Sequence, residues 1–170
     1  MKFRAIRIIA AQVIAALSGL TIASGLPAQA DGGTGVRAAG CYIATPQGVV
    51  VNINRLLNKI QLPMGRHKQG ETAAQTAARE TLEETGIAVE VGEPILHLES
   101  RQVVLFTCTP LAPIADYPAL SALDTVEVSE VLVLDPHTMQ NVDGRVVDTP
   151  WRFPNTRLLL RMLYLGAAAP

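Results

Sequence analysis

The chain has 170 residues, 49% of them hydrophobic, and a formal charge of −1 from 14 Lys+Arg against 15 Asp+Glu. That length fits one domain. The scarcity of charge and its near-neutral balance exclude a basic nucleic-acid-binding surface and an acidic disordered tail.

In chain order, the first segment reads as a targeting signal. "MKFRAIR" carries Lys2, Arg4 and Arg7, runs into the apolar "IIAAQVIAALSGLTIASGL" and reaches "PAQA" at Ala30. A positive start, an apolar middle and small closing residues form the pattern of a secretory signal. Residues 1–30 are therefore read as a signal peptide whose cleavage leaves no stable membrane span and Asp31 at the new N-terminus. The folded part is expected to be exported, periplasmic or secreted. The alternative is an uncleaved N-terminal membrane anchor, because residues 8–26 approach the about 20 residues that span a bilayer. Gln12, Ser18, Gly19, Thr21, Ser24 and Gly25 dilute that stretch, and Ala28-Gln29-Ala30 fits cleavage. Lipidation at Cys41 is disfavoured, since that cysteine lies well beyond the apolar segment.

"CYIATPQGVVVNIN" reads as two short strands joined by a turn at Pro46-Gln47-Gly48. "RLLNKIQLPMG" runs on into a loop broken by Pro63 and Gly65. A helix is expected over residues 72–85. Thr72 and Gln75 have capping-box spacing, Gly86 stands where helices stop, and Ala74, Ala77, Ala78, Thr81 and Leu82 would form its buried side. "IAVEVGEPILHLE", "QVVLFTCTPL" and "TVEVSEVLVLD" read as strands, with "APIADYPALSALD" a surface loop before the last of them. "PNTRLLLRMLYLG" reads as a final helix, capped by Asn155 or Thr156 and burying Leu159, Met162 and Leu163. Strands flanking a helix, with a second helix after them, imply a layered α/β domain. Cys41 and Cys108 both fall in strand-like runs, and a disulfide or two buried thiols fit the sequence equally.

The chemistry is concentrated in residues 63–87, "PMGRHKQGETAAQTAARETLEETGI". Glu80, Glu83 and Glu84 stand at i, i+3 and i+4 and share one helix face, where each like-charge pair costs roughly 0.2–0.5 kcal/mol. They sit near the C-terminal end, where the helix dipole also disfavours negative charge. A solvated acidic face is the plain reading. The neighbours favour another: a hard divalent cation takes oxygen ligands and keeps several waters, leaving room for phosphate. Arg79 can orient a carboxylate, Gly65 allows close backbone approach, and Glu71 adds a further acid.

Gly65, five residues, Glu71, seven residues, then Arg79-Glu80-Thr81-Leu82-Glu83-Glu84-Thr85-Gly86-Ile87 resembles the Nudix box of the Nudix hydrolase family. Every fixed polar residue and glycine of that pattern is present at its spacing. The departure is Thr81, which replaces a bulky aliphatic residue and brings a hydroxyl that needs a partner if buried.

The resemblance implies a single Nudix domain over residues 36–165, an α/β/α sandwich with a mixed β-sheet. It further implies metal-dependent hydrolysis, with Mg2+ or Mn2+, of a small nucleoside diphosphate linked to another group, and no nucleic-acid polymer as partner. Carried over by position, Glu83 and Glu84 would be metal ligands, Glu80 a ligand or the water-orienting base, and the Gly65 carbonyl a further ligand. Arg79 would orient a glutamate, and Glu71 would support the loop or a metal-bound water. An additional acid is expected downstream, with Glu127 and Glu130 as candidates.

Arg66 and Lys68 are candidates for meeting phosphates, against the plainer reading of a solvated basic loop. His67, His97 and His137 have no zinc-site spacing. Trp151 is expected to pin the last helix to the core rather than to stack on a base. The alternative function is a Nudix-fold module that binds or senses a nucleotide without turnover. Substrate identity and oligomeric state stay open.

Overall fold

A computed structural model describes residues 35–114 and 121–164. The segment read as a signal peptide, and part of the surface loop after Ile114, lie outside the described residues. No helix among those described is long and apolar enough to cross a membrane.

The elements follow as β1 (Ala38–Tyr42), β2 (Ala44–Thr45), β3 (Gly48–Asn54), β4 (Lys59–Gln61), β5 (Met64–Arg66), α1 (Ala73–Thr85), β6 (Val89–Leu98), β7 (Val103–Pro110), β8 (Val128–Leu134) and α2 (Thr156–Leu163). One sheet runs in the order β5-β1-β7-β6. It is mixed, because β1 pairs β7 in parallel while the β1–β5 and β6–β7 pairs are antiparallel. A second, antiparallel sheet centres on β3, which pairs with β2, β4 and β8. The segment from Lys59 to Arg66 thus contributes two short strands where the sequence reading placed a run into a loop broken by Pro63 and Gly65. Pro63 lies between β4 and β5 rather than within either, so no strand has to continue through it.

Residues alternating along the strands separate into two cores. Ala39, Cys41, Val50, Val104, Phe106, Val131 and Val133 face one side, where Ala73 and Ala77 of α1 close over them. Tyr42, Val49, Val51, Leu105, Leu132 and Leu134 face the other, where Leu160 and Tyr164 at the end of α2 cover them. A sheet layer buried on both faces with a helix on each is the expected α/β/α sandwich. Cys41 and Cys108 form a disulfide with Cα atoms 5.5 Å apart. Closing a loop of 67 residues stabilises the fold by roughly 4 kcal/mol in the chain-entropy account.

The caps of α1 are as the sequence predicts. Thr72 and Gln75 form a reciprocal capping box, and Gly86 closes the helix in the left-handed region at φ 74°. Its buried face is rotated from the expected one. Ala73, Thr76, Ala77, Thr81, Glu84 and Thr85 point inward, while Leu82 is 40% exposed. Small side chains let the helix lie close to the sheet, and that closeness outweighs the burial of one leucine. In α2 the anchors are Leu160 and Tyr164, whereas Met162 is 67% exposed and Leu163 36%. The amphipathic pattern therefore identifies the helix and misplaces its inward stripe. Trp151 packs against the α2-side core, as expected.

Thr81 is fully buried and its hydroxyl has no partner among the described residues. Thr81→Val keeps the shape and removes the stranded hydroxyl, so it should stabilise the protein by about 1 kcal/mol. Chemical denaturation of the two proteins checks this; a loss of stability would reveal a partner for the hydroxyl.

Candidate active site

The site forms where the C-terminal half of α1 meets β5. Gly65 is required there for space. A Cβ at this position would stand 2.1 Å from Glu80 Cδ, so the carboxylate of Glu80 lies directly on the glycine backbone. Gly65→Ala would meet the far end of the Glu80 side chain, with no backbone atom as close. The fold should survive with a loss of about 1 kcal/mol, while Glu80 is pushed out of place and turnover falls roughly tenfold or more. Melting curves beside kcat would separate the two effects, and unchanged kcat would count against a role for Glu80.

Arg79 is the hub of the acidic cluster. Its Nε and a terminal nitrogen grip Glu71 in a fork, at 2.6 and 3.0 Å. Its other terminal nitrogen donates to Glu80 at 2.8 Å and to Glu83 at 3.0 Å. A further bond reaches the Arg66 carbonyl at 2.9 Å and ties the loop to the helix. One guanidinium thereby offsets the repulsion among three of the four carboxylates. Glu71 also accepts from the Lys68 backbone and the Thr76 hydroxyl. The Arg79 hydrogen bond, opposed by partial burial and supported by those two donors, lowers the Glu71 carboxyl to a pKa of about 2.

Glu84 behaves differently. It is 3% exposed and turns toward the interior, accepting from Asn52 Nδ2 at 2.9 Å, Gln61 Nε2 at 3.2 Å and the Met64 amide at 2.8 Å. Those donors favour the carboxylate, but loss of water dominates, and burial pushes its pKa up to about 8. Burial likewise raises Glu80, with Arg79 acting against the shift.

Arg79, Glu80, Glu83 and Glu84 line one cavity of about 710 Å³. Gly65, Glu80, Glu83 and Glu84 stand in it with Arg66, Lys68 and Arg79, so the structure brings together the sequence-predicted ligands and both basic candidates. Lys68 Nζ lies 3.7 Å from Glu83. Glu127 also lines the cavity, whereas Glu130, on β8 opposite Ile53, does not: it is paired with Arg145. Glu71 sits behind Arg79 rather than in the cavity wall. Asp124 and Arg152 belong to the wall and were not singled out by sequence. Asp124 accepts the backbone N–H groups of Val126 and Glu127, the sort of local turn that "LDTVE" could have signalled. Asn52 and Gln61 hold Glu84; Asn52 is a polar residue inside the apolar run of β3, which is its signal in the sequence, while Gln61 ends the short β4 and carries none.

Among the described residues, no three acidic, imidazole or thiol side chains converge as a closed cation cage. The cause is visible: Arg79 holds Glu80 and Glu83, and the interior amides hold Glu84. The donor set still fits a hard divalent cation, because Glu80, Glu83 and Glu84 line one cavity with Gly65 and Mg2+ commonly uses only one or two protein carboxylates with waters and phosphate. The basic residues in the same cavity suit a phosphorylated ligand.

A protein-family model described as the NUDIX domain matches residues 35–146. Comparison with curated proteins returned no match. Among solved structures, an ADP-ribose pyrophosphatase from Streptococcus suis superposes with a TM-score of 0.56 at 15% identity, over 74% of this chain and 86% of that one. An Ap4A hydrolase from C. elegans gives 0.52 at 21% identity, over 75% and 95%. A NUDIX hydrolase from Nitrosomonas europaea gives 0.51 at 23% identity, over 78% and 73%. At these identities the likeness is one of fold.

Proposed function

Because the chain belongs to the Nudix family, we propose that it hydrolyses the phosphoanhydride bond of a small nucleoside diphosphate derivative, using Mg2+ or Mn2+, outside the cytoplasm. The observation that carries this reading is the cavity itself. Carboxylates stand in it together with Gly65, and Arg66, Lys68 and Arg152 supply positive charge for phosphates in the same space. The solved structures that share the fold include proteins named for ADP-ribose and Ap4A, which supports a small nucleotide derivative as the substrate class.

Gly65, Glu80, Glu83 and Glu84 would hold the cation. When bound, it supplies neutralisation of the diphosphate charge and a water acidified enough to react near neutral pH. The residues do the rest. Glu83, 40% exposed at the cavity wall, and Glu80 are the carboxylates positioned to take the proton of an attacking water. Arg79 fixes both through its hydrogen bonds, and Glu71 fixes Arg79. Arg66 and Lys68 meet the phosphate oxygens. Glu127 and Asp124 are the further acids within the cavity, and Glu127 is the better placed of the two downstream candidates.

The export proposal draws support from the Cys41–Cys108 disulfide, a bond that persists in oxidising compartments. N-terminal sequencing of the mature protein tests it, with Asp31 as the expected first residue.

The activity is tested by incubating the protein with ADP-ribose, a nucleotide-sugar and a dinucleoside polyphosphate, with and without Mg2+, and following phosphate products by 31P NMR. Mg2+-dependent cleavage of at least one is the expected result. Thermal stabilisation by one of them without cleavage would replace the hydrolase by the binding or sensing module.

A further inference from the structure

The cavity does not end at the carboxylates. Met64, Gly65, Arg66 and Arg152 also line a second space of about 320 Å³, where Arg37 and Phe153 join them. Met64, Val103 and Phe153 in turn border a third, of about 350 Å³, walled by Leu62, Leu96, Leu98, Leu105 and Leu159. Shared walls make these spaces consecutive: an acidic chamber, a passage with three arginines, and an aliphatic cleft.

The chemistry of the cleft restricts its occupant. Its polar lining residues are Arg101, Asn155 and Thr156. Arg101 is engaged over the Phe153 ring at 5.2 Å, and Arg152, in the passage, lies over the same ring at 5.5 Å. A nucleobase or sugar entering this space would give up water along polar edges and find leucine in exchange, which is costly. A hydrocarbon loses nothing there and gains by leaving water. A space of this size lies within the range of small-ligand pockets.

We infer that the cleft receives an aliphatic group joined to the diphosphate, while Arg37, Arg66 and Arg152 meet the phosphates on the way to the carboxylates. The inference rests on the function proposed above and narrows its substrate class to nucleoside diphosphates esterified to a hydrocarbon. In the reaction the bridging P–O bond breaks, the oxygen of water joins one phosphorus and the bridging oxygen leaves on the other. One proton of the water passes to the site's base, and the products are a nucleoside monophosphate and an alkyl phosphate.

The test uses adenosine diphosphate alkyl esters with methyl, butyl and octyl chains. Their non-hydrolysable methylene-bridged analogues serve for binding by calorimetry in Mg2+. Affinity should rise by up to about fourfold per methylene that enters the cleft. Leu98→Asn, at a position 40% exposed on the rim, should collapse the octyl-to-methyl ratio without adding charge beside the phosphates. Val103→Thr, a milder change of similar shape, should lower the ratio in the same direction. Equal affinity for methyl and octyl esters, or a ratio indifferent to both variants, overturns the inference. Because binding is the readout, it decides this point independently of turnover. Mg2+-dependent cleavage of the methyl ester, lost in Glu83→Gln, decides the hydrolase reading separately.

Discussion

Glu83→Gln should lower kcat by at least about 100-fold, the scale expected when a reacting proton acceptor or charge is removed, while leaving stability nearly unchanged. The two halves of this prediction come from different features of one side chain. Glu83 is 40% exposed and its partners are Arg79 at 3.0 Å and Lys68 at 3.7 Å. Ion pairs at such exposure contribute about 0–1 kcal/mol, and Arg79 keeps Glu71 and Glu80 when Glu83 is neutral. The carboxylate is therefore not needed to build the site. For catalysis its charge is needed twice, to help hold a cation and to accept a proton, and an amide does neither. Matched melting curves and Mg2+-dependent rates test both halves. Retained metal-dependent hydrolysis in the variant would remove Glu83 from the chemistry, and a large drop in stability would give it a structural role instead.

Much of this was legible in the chain because spacing alone constrains it. The interval from Gly65 through Glu71 to the Arg79–Glu84 run places carboxylates on one turn of helix, and the capping box and Gly86 fix where that helix starts and stops. The near-continuous apolar runs in "GVVVNIN" and "VSEVLVL" mark strands buried on both faces over most of their length. The misses share a cause. Leu82 and Met162 are apolar enough to seem inward, yet which stripe of a helix faces the core is set by the surface it meets. The inward turn of Glu84 depends on Asn52 and Gln61, residues 32 and 23 positions away that only the pairing of β3 with β4 brings beneath α1. Arg152 reaches the cavity from a segment far down the chain for the same reason. The cysteine question also needed three dimensions, since β1 and β7 become neighbours only through a parallel crossover.

Without divalent cation, the protein should be most stable near pH 4–5 and lose stability as pH rises to 8. Glu84 sets the alkaline side. Its folded pKa of about 8 stands above the ordinary 4.5, so between those values the folded state retains a proton that the unfolded chain has released. Stability must then fall with rising pH across that window, by on the order of a few kcal/mol if the shift is carried fully. Glu71 sets the acid side. Held at about 2 by Arg79, it contributes stability that is complete above its unfolded value and is lost as pH drops toward 2. A cation bound at Glu84 reverses the first effect, because it favours the carboxylate that burial disfavours. Binding of Mg2+ or Mn2+ should therefore release close to one proton between pH 6 and 7.5, tighten as pH approaches 8 and flatten the alkaline slope of Tm. Glu84→Gln should remove both the slope in EDTA and the proton release. Melting curves from pH 3 to 9 in EDTA and in Mg2+, with calorimetry in two buffers of different ionisation enthalpy, measure each quantity. A Tm in EDTA that climbs from pH 5 to 8 would mean that the three interior donors, not desolvation, govern Glu84, and that its carboxylate stands charged before any cation arrives.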